Sequence, residues 1–220
     1  MSTEALFQQL KHPNPHLQEQ AMWALAESRD ETTIPRLMSL LDEENTTYRR
    51  AAVKALGAIG ADTVPPLVEA LLHSENVTVR GSAAKALAQV AINYPDDPFP
   101  TLGVEGLRIA LNDPNPVVHI AAVMAMGEIG TPVVNELIEA LQTTQNPALA
   151  ISIVNALGSI GDERGVDVLT TLIQDESTDS YVRESATSAL SRLEMTTNFQ
   201  QQNFSASRVS NTLSVDSSIH

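Results

Sequence analysis

One short phrase recurs along this chain and constrains its fold more than any other feature. It is an alanine followed by a leucine or a methionine, often continued as Gly-x-Ile-Gly. The alanines of the six copies are Ala24, Ala55, Ala86, Ala125, Ala156 and Ala189. By subtraction, consecutive copies lie 31, 31, 39, 31 and 33 residues apart. Self-similarity at such a period is typical of stacked supersecondary units, none of which buries its apolar face alone.

The residues around each copy predict an amphipathic helix. Four positions before the leucine, the chain has Ala21, Ala52, Ala83, Ala122, Ile153 and Ala186. That spacing places both columns in one apolar stripe of a helix. Eleven positions before the leucine, it has Asn14, Asn45, Asn76, Asn115, Asn146 and Asp179. Because Asn and Asp cap helix starts, they predict where each helix begins, and Gly60, Gly130 and Gly161 predict where three of them end.

A second apolar column predicts another helix in each repeat. Its members are Leu6, Leu37, Val68, Leu107 and Ile138. Aromatic residues are only 4% of the chain, so the core must consist of small aliphatic side chains that suit close helix packing. The sequence therefore predicts an all-α fold, a right-handed α-α superhelix (solenoid) of about six HEAT-like repeats over residues 1–194.

Two segments depart from the repeat. The step of 39 residues contains eight extra residues, which we assign to Asn93–Pro100, and its three prolines predict an ordered loop on one edge of the solenoid. The last segment, residues 195–220, is rich in Ser, Thr, Asn and Gln and is predicted to be a disordered polar tail.

Charge and composition exclude several classes of partner and compartment. The formal net charge is −14, so phosphate backbones and anionic lipid surfaces repel the chain. We therefore expect no nucleic-acid partner and no membrane insertion, and the absence of a long apolar run or a basic leader favours a cytoplasmic protein. The chain has no cysteine, which excludes disulfides and thiolate chemistry of its own.

No pattern in the sequence predicts a self-contained catalytic centre or a metal site. The five histidines do not form a metal-binding motif with the carboxylates, and no glycine-rich phosphate loop is present. His119 falls in the same column as Arg49, Arg80 and Arg183. We interpret that column as cations that bond turn carboxylates or carbonyls of adjacent repeats, with a functional role of His119 as the alternative.

The solvent-facing column of the second helices contains the candidate site. Lys54 and Lys85 occupy it in the second and third repeats, with Arg50 nearby, and Trp23 and Met124 flank them. In an acidic chain these cations form either a solvated face or a docking surface for an acidic partner or a carboxylate ligand.

The inserted loop contains a second candidate contact. Its aromatic residues, Tyr94 and Phe99, interrupt a repeat that needs no insertion. Aromatic side chains on a proline-stiffened loop lose little entropy on binding, so we expect both to contact a partner.

Two stretches carry a resemblance to a known family. The run Val79–Pro100, followed by Asp113–Gly130, resembles the cyanobacterial HEAT-like proteins of the phycobilin lyase superfamily, and most closely phycobilisome degradation proteins of the NblB type. The inserted prolines and the Pro-Asn-Pro-Val-Val-His phrase are the more specific elements. The resemblance covers most of residues 1–194 and no part of the tail.

The resemblance implies a function in the cyanobacterial light-harvesting antenna. It implies that the chain binds phycobiliprotein subunits of the phycobilisome and promotes phycobilisome disassembly or bilin detachment. Two alternatives are a subunit of a phycobilin lyase, which attaches bilin, and a non-enzymatic adaptor, for example in metallocluster assembly. No cofactor of its own is expected, although the partner would carry a bilin such as phycocyanobilin, and a second HEAT-like chain is a further candidate partner. Periodicity does not separate these readings, so it leaves open whether the chain is an enzyme subunit.

Overall fold

The computed structural model of the chain describes residues 1–195, and within that range it contains helices and no strand. The helices alternate as the repeat predicts. The first helix of each repeat is α1 (Thr3–Leu10), α3 (Thr33–Met38), α5 (Val64–His73), α7 (Thr101–Ala110), α9 (Val134–Thr143) or α11 (Arg164–Gln174). The second is α2 (Pro15–Glu27), α4 (Thr46–Ile59), α6 (Val77–Asn93), α8 (Pro116–Ile129), α10 (Pro147–Ile160) or α12 (residues 180–195). The predicted tail lies, from residue 196 onward, outside the described residues.

The chain divides into two compact units, Met1–Ala140 and Leu141–His220. In the first unit, α2, α4, α6 and α8 pack side by side in chain order as one layer. Each also packs against the first helix of its own repeat, so the first helices form a second layer behind them. In the described part of the second unit, α10 packs against α11. The prediction of an all-α HEAT-repeat fold is confirmed.

Caps fix where the second helices begin and end. The side-chain oxygen of each predicted asparagine accepts a hydrogen bond from a backbone N–H of the first turn, at Asn14, Asn45, Asn76, Asn115 and Asn146. Asp179 accepts from two N–H groups at the start of α12 in the same way. The three predicted glycines end α4, α8 and α10 with positive φ, a conformation that glycine adopts without a Cβ penalty.

The insertion is shared between a longer helix and a loop. Ala91 stands in the column where the neighbouring repeats have Gly60 and Gly130, so no glycine stops α6 there. The helix runs on to Asn93 before Pro95 prevents its continuation. The predicted loop therefore begins at Tyr94 and reaches α7 at Thr101.

Within residues 1–195, no single helix is long and apolar enough to cross a membrane. One pair of helices, Thr46–Ile59 with Ala61–His73, is long and apolar enough when the two are taken together, but the pair is bent by 116°.

A close approach within the second-helix layer depends on Gly57. A Cβ built on this glycine would lie 2.2 Å from the Gln89 Cβ and 2.9 Å from the Gln89 carbonyl carbon. Only a residue without a side chain allows α4 and α6 to approach this closely. The contact also fixes the position of Gln89, which lines both grooves described below.

We predict that Gly57→Ala lowers the free energy of unfolding by about 1–3 kcal/mol, because the added methyl group overpacks the α4–α6 contact. Chemical denaturation followed by circular dichroism measures the change. Gly81→Ala is the matched control, since the nearest atom to its new Cβ would be a Val117 methyl at 3.7 Å. Alanine is also the better helix former, so this control should be neutral or stabilising. Equal destabilisation by both variants would contradict the prediction.

Candidate functional site

The outer face of the second-helix layer displays the predicted candidate residues in one row. Trp23 on α2 is 38% exposed and Met124 on α8 is 63% exposed. Lys54 on α4 and Lys85 on α6 lie between them in the row, and both are exposed. The structure thus places these four side chains on the four second helices of the first unit, one on each helix. Arg50, one turn before Lys54 on α4, is exposed as well.

Three cations on this face have no carboxylate partner within the described chain. Among residues 1–195, no carboxylate lies within 4.0 Å of Arg50, Lys54 or Lys85. By contrast, Arg29 pairs with Asp62 across a repeat boundary at 2.7 Å. In a chain of net charge −14, these three cations are the groups of this face that can attract an anionic group.

A cationic groove of about 310 Å³ lies between α4 and α6. The side chains that line it are Thr46, Arg49, Arg50, Val53, Lys54, Ser82, Lys85 and Gln89. Four of these eight residues are cationic and none is acidic. Sequence reasoning identified three of the cations but missed Thr46, Ser82 and Gln89, which follow no chemical motif and enter the groove only through helix packing.

A second groove, of about 270 Å³, lies beside Trp23 between α2, α4 and α6. We call it the tryptophan groove. Its polar lining includes Gln18, Glu19 and Asn93. Lys54 and Gln89 line both grooves, so the two are neighbours on the same face.

The loop aromatics pack against their own chain. The Tyr94 hydroxyl donates a hydrogen bond to the Ala58 carbonyl oxygen at 2.5 Å, and its ring lies where a side chain on Gly60 would stand. Phe99 covers Gly103 at the start of α7 in the same manner. Both residues are half-buried, and their contact with a partner stays a prediction.

One member of the column of cations, Arg80, couples neighbouring repeats as the sequence suggested, whereas Arg49 bonds a carbonyl of its own repeat. Arg80 on α6 donates to both carboxylate oxygens of Asp113, at 2.8 Å and 3.1 Å, and to the Ser74 carbonyl oxygen at 2.9 Å. Arg49 donates to the Glu43 carbonyl oxygen. The Arg80 and Asp113 side chains are only 12% and 9% exposed, so this ion pair is a largely buried clamp between the third and fourth repeats.

His119 completes the surroundings of that clamp. It is buried, and its Nε2 atom has no hydrogen-bond partner within the described part of the chain. Burial tends to raise the pKa of Asp113. Hydrogen bonds from Arg80 and from the Asn115 backbone N–H, together with the charges of Arg80 and His119, outweigh that effect and hold the pKa below its usual value of 3.8.

We predict that Asp113→Asn lowers the free energy of unfolding at neutral pH by about 2 kcal/mol, because it removes charge-assisted hydrogen bonds from a largely buried guanidinium group. The lowered pKa sets the pH dependence. The contribution of Asp113 is complete above pH 3.8, its unfolded value, and is lost as the pH falls through the lower folded-state pKa. Urea titrations across acidic pH should therefore show the wild type and the variant converging.

Asp62→Asn serves as the control, since it breaks the exposed Arg29 pair, whose side chains are 40% and 64% exposed. Exposed pairs contribute little, so its effect should be much smaller. If the two variants are equally destabilised, the Arg80 clamp has no special role.

Among residues 1–195, no group of three His, Asp or Glu side chains is placed to hold a metal ion. The face described above presents cations, amides, the Glu19 carboxylate and two large apolar side chains. Such groups bind and orient an anionic or mixed partner.

Comparisons with known proteins show which family the chain matches. The HEAT-repeat family matches residues 3–91 and 104–191. The chain is 67% identical to the phycocyanin operon protein Z of Pseudanabaena tenuis over 91% of its own length and 100% of that protein. It is 33% identical to the bilin biosynthesis protein CpeZ of a Synechococcus species, over 77% and 94% of the two chains. A solved complex of CpcE and CpcF of phycocyanin lyase from a Nostoc species is 23% identical, with a TM-score of 0.47 over 70% of this chain and 96% of that one.

Proposed function

Since the chain belongs to the HEAT-repeat family and, within it, to the phycobilin lyase superfamily, we propose that it acts in the attachment of bilin to a phycobiliprotein. In this proposal it is a lyase subunit or accessory subunit that holds the antenna protein while bilin is joined to it. The single observation that carries the proposal is its identity to a bilin biosynthesis protein over 94% of that protein's length.

The relatives favour attachment over disassembly. Sequence resemblance pointed first to phycobilisome degradation, with lyase activity as the alternative. The names of the two relatives refer to a phycocyanin operon and to bilin biosynthesis, and neither name refers to degradation. Disassembly remains a prediction that the experiment below distinguishes, and so does a general adaptor role.

The exposed row on the second helices is the surface we propose for the antenna subunit. Its cations have no carboxylate partners within the described chain, and two large apolar side chains, Trp23 and Met124, stand beside them. Cations attract and orient an acidic partner, while a partly exposed tryptophan is a common interface anchor. Any bilin would arrive with a partner or as a substrate, and no residue of this chain is assigned to the bond-forming step.

The proposal is tested by co-expression. The full chain is produced in a heterologous host with a phycobiliprotein subunit, a bilin-synthesising enzyme pair and a candidate second HEAT-like chain. Covalently bound bilin is measured by absorbance and by zinc-enhanced fluorescence after denaturing electrophoresis. We expect more bound bilin when the chain is present than when it is omitted. Loss of bilin from a preloaded subunit would favour disassembly, and no effect in either assay would favour an adaptor.

We predict that Lys85→Glu reduces capture of the antenna subunit by several-fold at low salt, and less at high salt, because exposed charge interactions are weak and screened. Pull-down with the full chain across a salt series measures this. Arg108→Glu is the matched control. Arg108 is exposed on α7, in the other helix layer, and the substitution changes the net charge equally. Equal losses for both variants would mean that overall charge, and not this face, controls capture.

A further inference from the structure

The side chains of the row on the second helices are regularly spaced, and their order is chemically symmetric. Read from α2 to α8, it presents Trp23, Lys54, Lys85 and Met124, one side chain per helix. The order is apolar, cationic, cationic, apolar. Adjacent packed helices lie about 8–10 Å apart, so equivalent positions on successive helices are separated by about that distance.

That spacing suits one kind of partner segment. In an α-helix, residues seven apart are two turns apart, about 10 Å along the axis, and project from the same face. A helix that crosses the layer obliquely can therefore present one side chain to each second helix in turn. In an extended strand, three residues also span about 10 Å, but successive steps of three point to opposite faces. The row therefore fits a helix better than a strand.

We propose that this row docks an amphipathic acidic helix of the partner, in which apolar, acidic, acidic and apolar residues recur at seven-residue spacing. The two carboxylates meet Lys54 and Lys85, and Arg50 adds a third cation. The apolar side chains cover Trp23 and Met124. Because the order is the same from either end, the helix satisfies the row in both directions. The inference rests on the proposed function only in taking this face as the docking surface.

Charge and exposure support this occupant over a small anion. The cationic groove contains no acidic lining residue, and the cations that point from it have no carboxylate partners among residues 1–195. A small anion would use the groove alone and would leave the flanking apolar residues uncovered. Met124 is 63% exposed. Val117, which lies seven positions earlier on the same helix, is 56% exposed. An apolar surface beside a cationic groove matches a partner that is both acidic and apolar.

The test uses the single tryptophan as its probe. Trp23 is the only tryptophan of the chain, so intrinsic fluorescence reports directly on the row. A synthetic helical peptide without tryptophan carries Leu, Glu, Glu and Leu at seven-residue spacing. The control peptide has the same composition, with both glutamates moved by two positions, which turns them about 200° to the far side of the helix. Each is titrated into the full chain at low salt.

We expect the patterned peptide to bind about tenfold more tightly than the shifted peptide, the effect of two exposed charge contacts. The Lys54→Glu, Lys85→Glu double variant should lose that preference while circular dichroism shows unchanged helicity, and Arg108→Glu should keep it. Equal affinity for the two peptides would overturn the proposed register. If free citrate at the same carboxylate concentration competes as strongly as the patterned peptide, the groove is a small-anion site.

This outcome is separate from that of the bilin assay. If the chain promotes bilin attachment but binds both peptides with equal affinity, the proposed helix docking is wrong and the proposed function stands. A chain that binds the patterned peptide but does not promote attachment supports the docking surface and removes the attachment role.

Discussion

The close packing of α2, α4, α6 and α8 into one layer is the constraint on which the rest of the first unit depends. Small residues at the contacts allow it, most sharply at Gly57, where α4 and α6 meet with no room for a Cβ. The packing sets the distance between neighbouring outer faces, and that distance decides which side chains share a groove. Lys54 and Gln89 line both grooves because the two helices that carry them are held together at this point.

The repeat register made most of the fold predictable. Capping residues recur in sequence at the same positions where the helices begin and end, because a cap acts through bonds to its own first turn and needs no distant partner. The three extra residues of α6 were not predicted, although Ala91 in the glycine column contained the signal. The Gly57 contact was missed, and a carboxylate partner was expected for Arg80 without Asp113 being named, since both depend on which residue of the next repeat lies opposite.

The repeat register also made part of the candidate site predictable. Exposure on a helix follows from periodicity, so the positions of Trp23, Lys54, Lys85 and Met124 in one row could be read from the sequence. A groove depends on the distance and angle between two helices, and no single-helix pattern contains that information. The internal packing of Tyr94 and Phe99 likewise follows from the bare surfaces of Gly60 and Gly103, which only the folded chain brings to them.

The Arg80–Asp113 clamp has a consequence for how the protein opens. In a repeat array, each unit contacts its neighbours only, and stability is close to a sum of units and interfaces. An array of equal interfaces would fray one repeat at a time from its ends. A largely buried ion pair across one boundary makes partial opening costly, because separating the two partners before water reaches them leaves buried charges unpaired. Backbone amides of α6 and α8 should therefore exchange with solvent deuterium as one cooperative block, which would hold the cationic groove together while the first repeat loosens.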